Sequence, residues 1–259
     1  MNGSGKFNWT GWLVLGLLLL LWELGVRASP KLQLYIPPIS QILGSLTYLI
    51  VSGQMTIHLL TTLRRFLEGY LLAAAIALTL GVVLGYSRFA YSLLEMLIEF
   101  LRPMPSVAII PVAILLLGIG DGMIVAVTVY ASTWPILINT IDGVRHIEQT
   151  LIDTGRTFGL ARRRILWQIV LPAASPYVVT GLRVSLSIAL ILVTTAEMIA
   201  GSKGLGFFIL DEERSLQSSN MYAGIILVAV LGYLLNRLFV ALEKKALKWR
   251  RGMVLREAT

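Results

Sequence analysis

The chain has 259 residues, of which 56% are hydrophobic and only 14% are charged, and its formal net charge is +8. Soluble domains carry about a quarter charged residues, so this composition excludes an ordinary soluble domain. The absence of cysteine excludes disulfides, iron–sulfur clusters and thiol chemistry. The basic residues lie at the ends of apolar blocks, where lipid headgroups account for them, so we expect no nucleic-acid partner.

Three long blocks contain no charged residue, at 70–87, 122–141 and 221–236. Stretches of about 18 or more apolar residues are long enough to cross the roughly 30 Å hydrocarbon core of a bilayer. Because these blocks are continuously apolar rather than alternating, they favour helices over a barrel. The sequence therefore predicts an all-α polytopic membrane protein built as one helical domain.

The first span is predicted at 9–26, within an amino-terminal region and outer linker that covers 1–36. The segment "VRASP" is a poor signal-peptide cleavage site, so we expect the helix to be retained. Region 37–55 has an apolar stripe at helical spacing and a polar opposite face, which predicts an amphipathic helix on the outer surface. The second span follows at 56–87, and at about 1.5 Å per residue it is longer than a bilayer needs.

Three prolines mark the start of the third predicted span: Pro103, Pro105 and Pro111. Inside a membrane, such breaks survive only against protein or a wet cavity, so this helix start is expected to be buried or to line a pathway. Spans three and four are predicted at 106–119 and 122–141, joined by "GIGDG". That turn follows no strand and lacks the third glycine of a dinucleotide-binding fingerprint.

Two further spans are predicted at 175–200 and 221–242, which brings the total to six. Residues 56–243 then form a core domain of five transmembrane helices, followed by the basic tail 244–259. The positive-inside rule places this tail in the cytoplasm. Six crossings place the amino terminus there too, together with the basic loop 145–172, whereas the acidic loop 201–220 faces outward.

The segment "DTGRTFGLARRRILWQIVLP", which begins at Asp153, carries a spaced pattern of an acidic residue, a glycine and I-x-L-P. It resembles the EAA loop of the membrane subunits of bacterial ATP-binding-cassette (ABC) importers, which reads E-A-A, three residues, G, nine residues, I-x-L-P. Thr154 and Gly155 stand where alanines are usual, and an aspartate replaces the glutamate. The matching positions are Asp153, Gly159, Ile169, Leu171 and Pro172.

The resemblance extends to "LRPMPSVAIIPVAILLLGIGD" and "AEMIAGSKGLGFFI", and over roughly 37–251 the chain is similar to permeases of the nitrate/sulfonate/taurine/bicarbonate type. This implies a type I ABC importer (MetI-like) permease fold with six transmembrane helices in the bacterial inner membrane. It implies a non-catalytic subunit, with ATP and magnesium held by a separate ATPase. The implied partners are ATPase subunits, a second permease copy, an extracytoplasmic solute-binding protein and membrane lipid.

By the same resemblance, the first helix of the loop contacts the ATPase. Gly159 permits a left-handed turn after that helix. Pro172 is expected to end the second helix, because the residue before a proline is pushed out of the helical region. The three arginines at 162–164 are expected to meet lipid phosphates or acidic groups of the partner. The candidate coupling residues are Asp153, Thr154, Gly155, Arg156, Thr157, Phe158, Gly159 and Leu160.

The chain has no P-loop, no catalytic set of side chains and no metal-ligand cluster, so we expect no cofactor or metal in this chain. Ionisable residues within spans are the default candidates for a site. Arg183 is either a foothold for an anion or a side chain that reaches to headgroups, and Glu197 is expected to have a structural or gate role. Arg64 and Glu68 are predicted to form an ion pair within one helix. The candidate pathway residues are Met104, Ser106, Arg183, Thr194, Thr195 and Glu197.

The predicted function is the permease subunit of an ABC importer for a small anion or sulfonate-like solute. The implied substrates are of the nitrate, alkanesulfonate, taurine or bicarbonate class. The alternative is a stand-alone secondary transporter with no ATPase partner, although such proteins usually show repeated halves and no convincing repeat is present. A membrane enzyme is disfavoured, because the chain lacks candidate nucleophiles.

Overall fold

The computed structural model describes residues 9–33 and 35–246, and these residues are nearly all helical. A 3₁₀ segment at Ser106–Ile109 precedes α6, and a π-helical segment at Leu166–Val170 joins α9 to α10. The helices are α1 (Trp9–Ala28), α2 (Pro30–Gln33), α3 (Ile39–Val51), α4 (Gln54–Tyr86), α5 (Arg88–Leu101), α6 (Ile110–Leu117), α7 (Asp121–Arg145), α8 (Gln149–Thr157), α9 (Arg162–Ile165), α10 (Leu171–Ala200), α11 (Leu205–Arg214) and α12 (Ser218–Ala246).

The centre of the fold is formed by α4, α7 and α10, with α7 packed along both of the others. Helices α4 and α7 are parallel to each other, and α10 is antiparallel to both. We call the end that carries α8 and α9 the basic end, and the end that carries α3 and α11 the opposite end. The broken segment α5–α6 returns the chain from the basic end to the start of α7.

Helices α4 and α7 approach closely because α4 has a small residue at every fourth position along the contact. A Cβ atom added at Gly69 would lie 2.7 Å from Thr128 Cγ2, and one added at Gly81 would lie 2.6 Å from Thr140 Cβ. Small residues of this kind let helix backbones pack tightly where no water drives association. The ridge consists of Gly69, Ala73, Ala77, Gly81 and Gly85.

The prediction for the third span was wrong in its bounds. Residues 106–119 do not form a continuous membrane-crossing helix, since α6 has only eight residues after its 3₁₀ turn. Instead, helix α5, which the sequence analysis did not identify, pairs with Ser106–Leu117 across a 90° bend. The prolines between the two halves remove helical hydrogen bonds and so fix the bend at this point.

Most of the predicted spans correspond to helices that could cross a membrane. Four helices are long and apolar enough to cross a membrane, and the bent pair makes up to five candidates among the described residues. The predicted first span corresponds to α1, a 20-residue helix, but the sixfold count stays a prediction. Most of the basic tail 244–259 lies outside the described residues, as do residues 1–8.

Two shorter helices, α3 and α11, cover the opposite end of the helical bundle. The predicted amphipathic helix is present as α3, which buries Ile42 and Leu49 and packs against α12 and α4. Residues 201–220, which the sequence analysis described as a loop, contain α11. Phe208 of α11 packs in the same apolar cluster as Ile42, and this cluster joins the two helices.

The close contact between α4 and α7 can be tested with Gly81→Leu. The new side chain would meet Thr140 and the carbonyl of Leu137, so we expect a loss of about 1–3 kcal/mol or more in stability. Thermal unfolding of the detergent-solubilised protein measures this loss. Gly44→Leu in α3 is the matched control, because nothing lies within 4 Å of a Cβ atom there; equal losses in the two variants would contradict the packing account.

Candidate functional site

The loop at the basic end forms a compact helix–turn–helix built from α8, the turn at Gly159 and α9. Gly159 has a φ of 73°, so the left-handed turn predicted from the sequence is present. The amide of Leu160 donates to the carbonyl of Gly155 at 3.0 Å, and the amide of Gly159 donates to the carbonyl of Arg156 at 2.9 Å. This pair of bonds is a Schellman cap, which satisfies the last carbonyls of α8 and fixes the direction of the chain after it.

Gly155 lets α8 lie directly against the segment that follows the turn. A Cβ atom at this position would lie 2.7 Å from the Cδ1 atom of Ile169. Ile165 and Ile169 belong to an apolar cluster that also contains Ile152 and Leu160. Because α8 is held by this cluster, the loop is a packed unit and not a loose connection.

The outer face of this unit is available for contact with a partner. Phe158, at the carboxyl end of α8, is 81% exposed. Asp153 and Arg156 form an ion pair at 3.0 Å on the same helix. Thr154, Thr157 and the three arginines at 162–164 are exposed as well.

The expected role of Pro172 was wrong. Leu171 has helical dihedral angles, and the chain is helical without interruption from Arg162 to Ala200. Proline lacks an amide donor, and the five-residue π segment just before Leu171 changes the hydrogen-bond register at the point where that donor is missing. The second helix of the loop is therefore continuous with the long helix α10.

At the opposite end, a buried ion pair joins α4 to α10. The Nη1 atom of Arg65 lies 2.9 Å from Oε1 of Glu197, and the two side chains are 3% and 0% exposed. Thr62 Oγ1 and the amide of Gly206 donate to the other oxygen of Glu197, at 2.8 Å and 3.1 Å. The carboxylate is fully enclosed by these partners, which favours the structural or gate role over direct contact with substrate.

The same arginine also reaches α7 and the connection before α11. Its Nε atom donates to Oδ1 of Asp121 at 3.0 Å, and its Nη1 atom donates to the carbonyl of Lys203 at 2.7 Å. Arg64 pairs with Asp121 and also lies 3.7 Å from Glu68, so the ion pair predicted within α4 is present. The sequence analysis did not predict the contacts made by Arg65, Thr62 and Asp121.

The sequence contains a signal that points to Arg65 as the partner of a distant carboxylate. Glu68 pairs with only one of the two adjacent arginines, and charged side chains within spans usually pair with one another. An unmatched arginine near the start of one span and an unmatched glutamate near the end of another are natural partners. Only the folded arrangement, however, shows that these two residues lie at the same end of the bundle.

The other pathway candidates do not form one site. Arg183 contacts α12, with its Nε atom 3.3 Å from Oδ1 of Asn236. The hydroxyls of Thr194 and Thr195 both donate to carbonyls of α10 itself. Ser106 lines a cavity between the α5–α6 bend and α7, and Met104 lies at the bend and is 37% exposed.

Residues 77–248 match the family described as the binding-protein-dependent transport system inner membrane component. A putative ABC transporter permease of Methanocaldococcus jannaschii is 35% identical over 228 residues, covering 88% of this chain and 83% of the relative. A putative aliphatic sulfonates transport permease of Bacillus subtilis is 30% identical, covering 96% of this chain and 90% of the relative. Other relatives are named as permeases for nitrate, taurine and bicarbonate.

The fold is shared with the membrane subunit of a solved transporter. An inward-facing structure of the MetNI methionine ABC transporter superposes with a TM-score of 0.63 at 20% identity, covering 73% of this chain and 96% of that chain. The predicted MetI-like fold is therefore confirmed. The chain belongs to the family of binding-protein-dependent inner membrane transport components, and it is a multi-pass permease subunit of the ABC importer class.

The buried ion pair can be tested with a double-mutant cycle. Arg65→Met leaves the Glu197 carboxylate buried without its charged partner, and such a loss costs about 3–5 kcal/mol. We expect the double variant Arg65→Met/Glu197→Met to lose much less than the sum of the two single variants, as measured by thermal unfolding in detergent. Arg64→Met, at an exposed pair, should cost no more than about 1 kcal/mol; additive losses for Arg65 and Glu197 would contradict their coupling.

Proposed function

We propose that this chain forms the translocation pathway for a small oxyanion or sulfonate-like solute and is driven by a separate ATPase that binds the loop at the basic end. The relatives named for sulfonates, nitrate, taurine and bicarbonate support this substrate class. The observation that carries the coupling is the exposed, tightly capped unit of α8 and the Gly159 turn. A rigid protrusion with an exposed aromatic side chain is suited to a groove on a protein partner.

The continuous helix after the turn supplies a route for movement. It runs for 39 residues from Arg162 to Ala200, which at about 1.5 Å per residue corresponds to roughly 58 Å. One end packs on α8, and the other carries Glu197 in the buried ion pair. Displacement of α8 by an ATPase is therefore transmitted to the opposite end of the bundle by a single helix.

In this proposal, two permease copies and two ATPase subunits work together, and a solute-binding protein delivers substrate at the opposite end. Closure of the ATPases on ATP brings the two α8 units together and opens the pathway outward, and hydrolysis returns it to the inward-facing state. The basic end faces the cytoplasm, because positive charge is retained on that side. Both termini then lie in the cytoplasm, and ATP and magnesium are bound by the partner and not by this chain.

The competing proposal of a stand-alone secondary transporter makes a different prediction for the same loop. Such a protein requires no contact at α8, so the exposed face would have no partner to bind. Copurification of the chain with an ATPase separates the two proposals. Uptake that continues without ATP and without such a partner would support the secondary transporter.

The turn at Gly159 can be tested with Gly159→Val. A β-branched residue in the left-handed region is strained by about 1–3 kcal/mol, and no neighbouring atom within 4 Å adds a clash. We expect ATP-driven uptake to fall about tenfold or more, while the amount of protein in the membrane is kept. Gly159→Asn is the matched control, because asparagine tolerates this conformation; normal uptake in the valine variant would count against the proposal.

The exposed face of α8 can be tested with Phe158→Ala. We expect copurification of the ATPase to fall several-fold, because an aromatic anchor at an interface contributes about 2 kcal/mol or more. The thermal stability of the permease alone should change little, since the side chain is largely exposed. Phe89→Ala in α5 removes a similarly exposed phenylalanine elsewhere, and equal ATPase recovery from the two variants would show that Phe158 is not at the contact.

A further inference from the structure

A cavity of about 370 Å³ lies between the α5–α6 bend and the middle of α7. Arg102 and Ser106 line it from the two sides of the bend, Trp134 and Asn139 line it from α7, and Ile188 lines it from α10. A water molecule occupies about 30 Å³ in the liquid, so the cavity holds a small solute together with part of its hydration shell. The cavity thus lies where the broken helix meets the two central helices of the fold.

Arg102 gives this cavity a positive charge that the protein does not neutralise. Arg102 is exposed, whereas Arg65 and Arg183 form ion pairs with carboxylates. No ion pair or side-chain hydrogen bond is formed by Arg102 within the described part of the chain, and none of the residues that line the cavity is acidic. A guanidinium stays protonated in proteins and offers five N–H donors in a planar fork that matches an oxyanion.

The neighbouring polar groups add further donors. Asn139 uses its Nδ2 atom for a 2.8 Å bond to the carbonyl of Pro135, which leaves its second N–H. The hydroxyl of Ser106 lies on the other side of the bend. A ligand with several acceptor oxygens and one negative charge complements such a set.

We propose that this cavity is a binding station for a monovalent oxyanion on its way through the membrane, with Arg102 as its charged ligand and Ser106 and Asn139 as further donors. The proposal rests on the proposed transport function and adds the position and chemistry of the site. Nitrate, bicarbonate and a sulfonate group share one negative charge and several acceptor oxygens. Ile188 supplies one apolar wall of the cavity.

The break between α5 and α6 explains why an arginine is placed here. Inside a bilayer, irregular backbone is tolerated where it is buried in protein or lines a water-filled cavity. Arg102 immediately follows α5, and Ser106 begins the 3₁₀ turn after the bend. The bend therefore brings a charged side chain and a hydroxyl to the same cavity, which a straight helix of this length would not do.

The experiment uses the full-length permease with its ATPase in lipid nanodiscs, titrated calorimetrically with sodium nitrate, sodium methanesulfonate and sodium bicarbonate. We expect at least one anion to bind the unsubstituted protein. Its Kd should rise about tenfold or more in Arg102→Gln, because a charge-assisted contact is lost. A smaller, several-fold rise is expected in Ser106→Ala, which removes only the hydroxyl, and Arg102→Lys should retain part of the affinity.

Arg88→Gln is the matched control, because Arg88 is likewise exposed but lies at the other end of α5, away from this cavity, and its loss should change the Kd less than twofold. An unchanged Kd in Arg102→Gln would overturn the site, as would the failure of all three anions to bind the unsubstituted protein. Recovery of the ATPase with each variant is measured in the same samples. If the ATPase is retained and Kd is unaffected by Arg102→Gln, the anion site is wrong while the proposed coupling stands.

Discussion

The buried ion pair between Arg65 and Glu197 is the interaction on which the arrangement of the long helices depends. Burying a carboxylate is unfavourable unless an opposite charge compensates its charge and hydrogen-bond donors satisfy its lone pairs. Arg65, Thr62 and the amide of Gly206 meet both requirements, and each lies on an element that the pair holds in place. The free energy that such a pair adds is small compared with a well-packed apolar contact, so its main effect is to permit one arrangement of these elements and to penalise others.

This constraint acts on the same helix that leaves the loop at the basic end. The α8 unit is held to Ile165 and Ile169 by apolar packing, and the helix then continues through the π segment to Glu197. One helix, unbroken from Arg162 to Ala200, therefore connects the loop at the basic end to the buried ion pair at the opposite end. The close contact of α4 with α7 holds the other two central helices together.

The sequence predicted most of the long elements because their hydrophobic blocks are uninterrupted. It also identified α3 by its apolar stripe, and it located the turn at Gly159 by the spacing of the EAA-type pattern. It failed where two local rules competed. Proline was taken to end the helix at Pro172, but the π segment absorbs the missing donor, and at Pro103 and Pro105 the break lies between two half-helices and not before a full span. Pairing between distant charges, as for Arg65 with Glu197, depends on the tertiary fold and has no fixed spacing in the chain.

The central claim is that the exposed face of α8 binds a nucleotide-driven ATPase. The chain has no cysteine, so a single cysteine introduced by Phe158→Cys is the only thiol in the permease. In membranes that contain the assembled transporter, a short thiol-to-amine cross-linker should join this position to the ATPase, whereas Phe89→Cys should give no such product. If Phe158→Cys gave no cross-link to the ATPase in membranes that still accumulate solute with ATP, this result would contradict the account.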